Sequence, residues 1–315
     1  MEDVLVRVEG RAGRITLNRP RVLNALSHAM AGAIATALDA WEGDPAVALV
    51  LIDGAGERAF CSGGDLAQIW EAARRGDFAC ERRFWADEYR LNARIARYPK
   101  PYVALMHGFV MGSGVGVSAH GSHRVVGESA AVAMPECAIG LVPDVGGTHL
   151  LAKAPGRLGE YLGLTGARMG PEDAIVAGFA DSFVPEAEWP ALAAELAATG
   201  DPAAIAARAR PAPAGALGAL REVGRLEGVV DRLAQRQRRR PRRGNPRGDD
   251  RPRPGADLAR RLRPRPPRGR GGDAGAARRR RSQLLTGERP CASASSDWAT
   301  WALRWRGTSP PPATR

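Results

Sequence analysis

Two short apolar runs, VALVLI at 47–52 and YVALM at 102–106, do most to constrain the fold of this chain. Neither alternates apolar with polar residues, as a strand with one wet face does, so each reads as a strand covered on both faces. Helical patterns fill the intervals. Ser27 is placed as an N-cap, and Met30, Ile34, Leu38 and Trp41 recur at helical spacing behind it. A second helix is expected to include residues 84–97. The chain opens with two alternating segments, 4–8 and 14–17, around Gly10 and Gly13, the pattern of a β-hairpin. Short strands are expected at 124–126, 131–133 and 182–185. Helices are expected to begin at Gly146-Gly147-Thr148, over 156–165 and over 171–177, with Ala-rich helices at 191–198 and 203–209 broken by Gly200-Asp201-Pro202. Strands and helices alternate, so the fold class is α/β.

Charge divides the chain. Its 315 residues carry a net charge of +12, yet residues 1–200 hold 18 Lys and Arg against 24 Asp and Glu, while residues 201–315 hold 28 against 10. All the excess basicity is C-terminal. We expect a folded core over 1–190, a helical segment over 191–230 and an Arg/Pro/Gly-rich tail over 231–315. The four cysteines, Cys61, Cys80, Cys137 and Cys291, are too widely and irregularly spaced for a disulfide framework or a paired zinc motif. No metal site is expected. No apolar run approaches the roughly 20 residues needed to span a bilayer, and the first residues lack a basic or amphipathic address. A cytoplasmic setting with no membrane partner is the expectation.

The chemistry is concentrated in glycine-rich turns. The two buried strands are each expected to end in a glycine-rich turn that opens a helix, Cys61-Ser62-Gly63-Gly64-Asp65 after the first and Met111-Gly112-Ser113-Gly114 after the second. N–H groups at a helix start have no intrahelical partner, so two such turns side by side can aim two donors at one oxygen, an oxyanion hole. Ordinary turns would look the same one at a time. The spacing of Gly112, Gly114 and Gly116 fails the dinucleotide-binding pattern, and no acidic residue is placed to hold a ribose. Further on, MPECAIGLVPDVGG (134–147) sets Glu136 and Asp144 in an otherwise apolar stretch. Burial and mutual repulsion there would raise their pKa values towards the range of general acids and bases, although either acid could equally serve a structural ion pair. Cys61, His107, His120 and Cys137 read as packing residues. Trp85 and Tyr89 read equally as core or as pocket wall.

NRPRVLNAL (18–26), AFCSGGD (59–65), EYRLN (88–92), KPYVALMHGFVMGSGVGVSAHG (100–121) and AMPECAIGLVPDVGGTHLL (133–151) together resemble the crotonase (enoyl-CoA hydratase/isomerase) superfamily. Within it they are most similar to the 3-hydroxyisobutyryl-CoA hydrolase branch. The resemblance covers residues 3–186 and tapers through about 230. It implies a crotonase-like spiral of ββα units, with the N–H groups of Gly64 and Ser113 as the oxyanion hole and Glu136 as the reacting carboxylate. Asp144 would orient substrate or water, while Asn24, Ala25, Gly63, Asp65 and Gly112 would lie around the acyl-CoA. Two departures matter. Ser113 stands where the family usually has glycine, and Gly116 stands where hydratases carry a first glutamate, which argues against hydration. The implied reaction is hydrolysis of a short 3-hydroxyacyl-CoA, as in valine breakdown, with no cofactor because coenzyme A belongs to the substrate. A trimeric or hexameric assembly is implied as well. The alternatives are hydratase or isomerase chemistry using Glu136 alone, or an inactive, C-terminally altered member.

After about residue 231 the family's late motifs are absent. Arg, Pro and Gly dominate, and such a composition buries too little apolar area to order itself alone. It reads either as a basic, nucleic-acid-binding tail or as a GC-rich gene translated out of frame, and the lack of lysine beside abundant arginine favours the second. A nucleic-acid partner is accordingly not expected.

Overall fold

Strand β1 (Val4–Glu9) turns through Gly10 into β2 (Ala12–Leu17), and the two pair antiparallel with Val4 opposite Leu17. This is the expected hairpin. The computed structural model describes residues 2–215 and residue 217, so expectations for the tail beyond 217 lie outside the described residues. Helix α1 (His28–Glu42) begins where the Ser27 side chain accepts from the Met30 N–H, and it buries Met30, Ile34, Leu38 and Trp41. Next come β3 (Leu49–Gly54), β4 (Ala59–Cys61), α2 (Leu66–Arg74), α3 (Phe78–Ile95), β5 (Tyr102–Met106), β6 (Phe109–Met111) and α4 (Ser113–Ser118). They are followed by β7 (His123–Val126), β8 (Ala131–Ala133), a 3₁₀ turn (Glu136–Ile139), α5 (Gly147–Lys153), α6 (Leu158–Thr165) and α7 (Pro171–Val176). The described chain closes with β9 (Ser182–Phe183), α8 (Trp189–Thr199) and α9 (Ala203–Arg208).

The strands form two sheets. One has six strands in the order β1-β2-β3-β5-β7-β9, parallel except for the opening hairpin, and the other has three parallel strands in the order β4-β6-β8. After the opening hairpin and α1, each turn of the chain gives one strand to the large sheet, one to the small sheet, and then one or more helices. That is the ββα spiral.

The continuous apolar runs follow directly from this layering. In β3, Val50 and Ile52 face the main core while Leu49 and Leu51 face a second core. In β5, Tyr102, Ala104 and Met106 take the first side and Val103 and Leu105 the second. Helices α8 and α9 cover that second side with Leu192, Leu196 and Ile205, each large aliphatic side chain contributing roughly 1.5–3 kcal/mol by leaving water. One detail departs from the sequence expectation. The two glycine-rich turns follow the three-residue strands β4 and β6 rather than the long buried strands, so both open from the small sheet.

Candidate active site

Because β4 and β6 are neighbours, their C-terminal turns lie side by side. A Cβ placed on Gly63 would sit 3.5 Å from the Met111 carbonyl oxygen, and one on Gly64 would sit 3.2 Å from Ser113 Oγ. Gly63 at φ +121° and Gly112 at φ +49° adopt backbone conformations that favour glycine. Among the described residues, neither the Gly64 N–H nor the Ser113 N–H donates a hydrogen bond to protein. Both residues line a cavity of about 270 Å³. Apolar walls come from Leu66, Phe84 and Trp85, while the exposed Arg21, Arg58 and Arg168 line it too.

Three carboxyl groups line the same cavity: Glu88, Glu136 and Asp144. Glu136 opens the 3₁₀ turn after β8 and is 5% exposed, and its Oε1 would stand 3.0 Å from a Cβ on Gly112. Its Oε2 has no partner among the described residues. Burial pushes its pKa up to about 7, with the Asp144 charge adding to the rise and its own backbone N–H opposing it. Asp144 accepts a hydrogen bond from the Tyr89 hydroxyl at 3.1 Å. Burial raises its pKa as well, and the Tyr89 bond and its own N–H restrain the rise. Next in sequence, Val145 sits at φ +45°, a strained position for a β-branched residue. It is held there by the His120 Nε2–H, which donates to the Val145 carbonyl at 2.7 Å.

Glu88, on α3, is 1% exposed with Oε1 unpartnered among the described residues. Burial pushes its pKa up to about 8, with Asp144 and Glu136 adding repulsion and the Ser113 hydroxyl holding it back. Sequence reasoning gave Glu88 no role, although a signal was present. The buried face of α3 carries Phe84, Leu91 and Ile95, and Glu88 falls on it at helical spacing. An acid on an apolar stripe is the kind of buried polar group that calls for a function.

The enoyl-CoA hydratase/isomerase family matches this chain over residues 12–225. The chain belongs to that family. A curated relative from Gallus gallus, "3-hydroxyisobutyryl-CoA hydrolase, mitochondrial", is 48% identical over 200 residues, or 64% of this chain and 52% of the relative. The chain thus spans about half the length of the curated relatives it matches. Among solved structures, an enoyl-CoA hydratase from Rhodobacter sphaeroides is similar at 56% identity with a TM-score of 0.67, covering 73% of this chain and 66% of that one. A carnitinyl-CoA dehydratase from Mycobacterium thermoresistibile is similar at 48% identity with a TM-score of 0.70, covering 76% and 72%. The "mitochondrial" in the relative's name does not match the cytoplasmic expectation. Among the described residues, no helix is long and apolar enough to cross a membrane, and no cluster of His, Cys, Asp and Glu could hold a metal ion.

In this family member Gly63, Gly64, Gly112, Ser113, Glu136 and Asp144 come together on one cavity. Asn24, Ala25 and Asp65 do not line it. Asn24 is fully buried, donating to the Ala55 and Ala59 carbonyls and accepting from the Arg19 N–H. Asp65 caps α2 and pairs with Arg19 at 2.9 Å, and the same guanidinium donates to the Ala25 carbonyl. All three are tied to Arg19, outside the cavity lining. His107 donates to the Gly56 carbonyl at 2.7 Å, and Cys61 is fully buried with its thiol pushed up to about 12. Both belong to the packing. Trp85 lines the cavity wall, and Tyr89 reaches it through Asp144.

Proposed function

We propose that this family member hydrolyses a short 3-hydroxyacyl-CoA thioester, with 3-hydroxyisobutyryl-CoA as the expected substrate. The observation that carries the proposal is the buried Glu136 carboxyl beside two unengaged main-chain donors, Gly64 and Ser113. Those N–H groups would donate to the thioester oxygen as it gains negative charge, and one such donor is worth roughly 10²–10³ in rate. With its pKa near neutrality, Glu136 can act in either of two ways. It can take a proton from water that attacks the carbonyl carbon, or attack that carbon itself to give a mixed anhydride that water then opens. In both, the C–S bond breaks, the sulfur of coenzyme A ends protonated, and the acyl group leaves as a carboxylic acid. Asp144, steadied by Tyr89, would orient the 3-hydroxyl or the water. The exposed arginines of the cavity suit the phosphates of coenzyme A.

Hydration of a double bond fits less well. It needs one group to activate water and another to deliver a proton, and the first glutamate that hydratases would place at 116 is Gly116 here. A Cβ at that position would lie 2.8 Å from both Asn92 and Val145. The name of the Gallus gallus relative agrees with hydrolysis. Coenzyme A enters only as part of the substrate, and a trimeric or hexameric assembly and a cytoplasmic setting belong to the same proposal.

The test is release of free coenzyme A thiol from 3-hydroxyisobutyryl-CoA by the 315-residue chain, with crotonyl-CoA hydration run in parallel. Glu136→Gln is expected to abolish release while acyl-CoA still binds. Release within tenfold of wild type in that variant, or hydration as the dominant activity, would defeat the assignment.

A further inference from the structure

Ser113 brings a side chain into a hole otherwise made of backbone. It is 6% exposed, it lines the cavity, and its Oγ packs against Gly64, the residue carrying the other main-chain donor. Glu88 lines the same cavity, almost fully buried and with one carboxyl oxygen unpartnered among the described residues, and the Ser113 hydroxyl is near enough to act on its carboxyl. A hydroxyl has one hydrogen to give and two lone pairs to receive with. We propose that the Ser113 hydroxyl is a third donor to the thioester oxygen, and that Glu88 is the positioning residue that frees its hydrogen for this task. The inference rests on the acyl-CoA reading above and adds a contact to it.

The argument is one of hydrogen-bond direction. While Glu88 is a neutral acid, its O–H can donate to Ser113 Oγ, and the serine hydrogen remains available to the oxygen that Gly64 and Ser113 N–H groups also serve. Once Glu88 ionises it can only accept, and it draws the serine hydrogen to itself. No proton leaves Ser113 in either state. The groups facing Glu88 keep it neutral to an unusually high pH. Burial acts first, then the charges of Asp144 from the loop before α5 and Glu136 from the 3₁₀ turn, so the switch falls at about 8. Cys61 of β4, across from it, stays a thiol up to about 12. Burial and the neighbouring carboxylates also keep Tyr89, the next residue on α3, protonated well above its ordinary range. Neither joins the switch.

The experiment reads the carbonyl itself. A carbadethia analogue of isobutyryl-CoA, in which CH₂ replaces the thioester sulfur, keeps a carbonyl that cannot be cleaved. Labelled with ¹³C at that carbon and bound to the full chain, it gives an isotope-edited infrared band whose frequency falls as donors are added. At pH 6.5 the band is expected at lower frequency in wild type than in Ser113→Ala or Ser113→Gly. At pH 9.5 that difference is expected to vanish. In the Glu88→Gln chain, whose amide can donate to Oγ but cannot ionise, the band is expected to stay low at both pH values. Equal frequencies in wild type and Ser113→Ala at pH 6.5, or a difference that persists unchanged at pH 9.5, would overturn the proposal. Failure of every chain to bind the analogue in calorimetric titration would overturn it together with the acyl-CoA reading. The expected pattern in a chain that releases no coenzyme A would support the donor while rejecting the hydrolase.

Discussion

Glu136 and Asp144 are set apart by what touches them rather than by what they are. Glu136 has an oxygen with no protein partner and a pKa near 7, whereas Asp144 is steadied by Tyr89. If Glu136 works as a carboxylate, coenzyme A release rises with pH through about 7 and falls away below it. The Tyr89 bond favours the ionised form of Asp144, so Tyr89→Phe removes a restraint and raises that pKa further. An additional loss of activity on the acid side is expected in a kcat/KM profile of Tyr89→Phe, and a profile superimposable on wild type would show that Asp144 does not need to be ionised. Glu136, Asp144 and the two glycine-rich turns were legible in the sequence because such turns and acids in an apolar stretch are local patterns, whereas Gly64 and Ser113 were singled out within the turns by the family resemblance. Glu88 was not legible, since its significance depends on which face of α3 the core covers. Conversely, Asn24 and Asp65 were expected around the acyl-CoA only through the family resemblance. Their side chains are spent on the scaffold.

At the scale of elements, the long strands and the capped helices were readable for the same reason, that each carries its period within itself. Strand β5 falls on the apolar run at 102–106, and α1 begins at Ser27. The small sheet was harder to read. Its strands β4, β6 and β8 have three residues each, too few for any alternation to register, and their pairing joins segments far apart in sequence. Yet this sheet sets the two donor turns side by side. Helix α8 is anchored through Leu192 and Leu196, both fully buried against the far face of the large sheet. Leu196→Ala is expected to lower the unfolding free energy by about 2–5 kcal/mol, measurable as a shift in denaturant midpoint. A shift under about 0.5 kcal/mol would show that this face is covered by other means.

The whole molecule stores protons in its cavity. Glu88 and Glu136 titrate at about 8 and about 7 when folded, against an ordinary value of 4.5. Between those limits the folded chain holds protons that the unfolded chain has released, so stability falls as pH rises. The contribution is complete below about 4.5 and is lost on passing through about 7 and about 8. The lowered values of His120 and His123 act in the opposite sense, below about 6.5, so the comparison begins at pH 7. From pH 7 to 9 the Tm of wild type is expected to fall by a few degrees more than that of Glu88→Gln, at roughly 2–4 °C per kcal/mol. Parallel curves would mean that Glu88 is already ionised at pH 7. The hole proposed at Gly64 and Ser113 has a different consequence for the molecule as a unit. Its primary donors are main-chain groups, so no truncation of a side chain can delete them, and only a change in the path of the backbone can. Heritable loss of activity in such a protein should therefore be written largely in glycines. In a saturation scan of function, Gly63 and Gly112 are expected to rival Glu136 in intolerance, although neither carries any reactive atom.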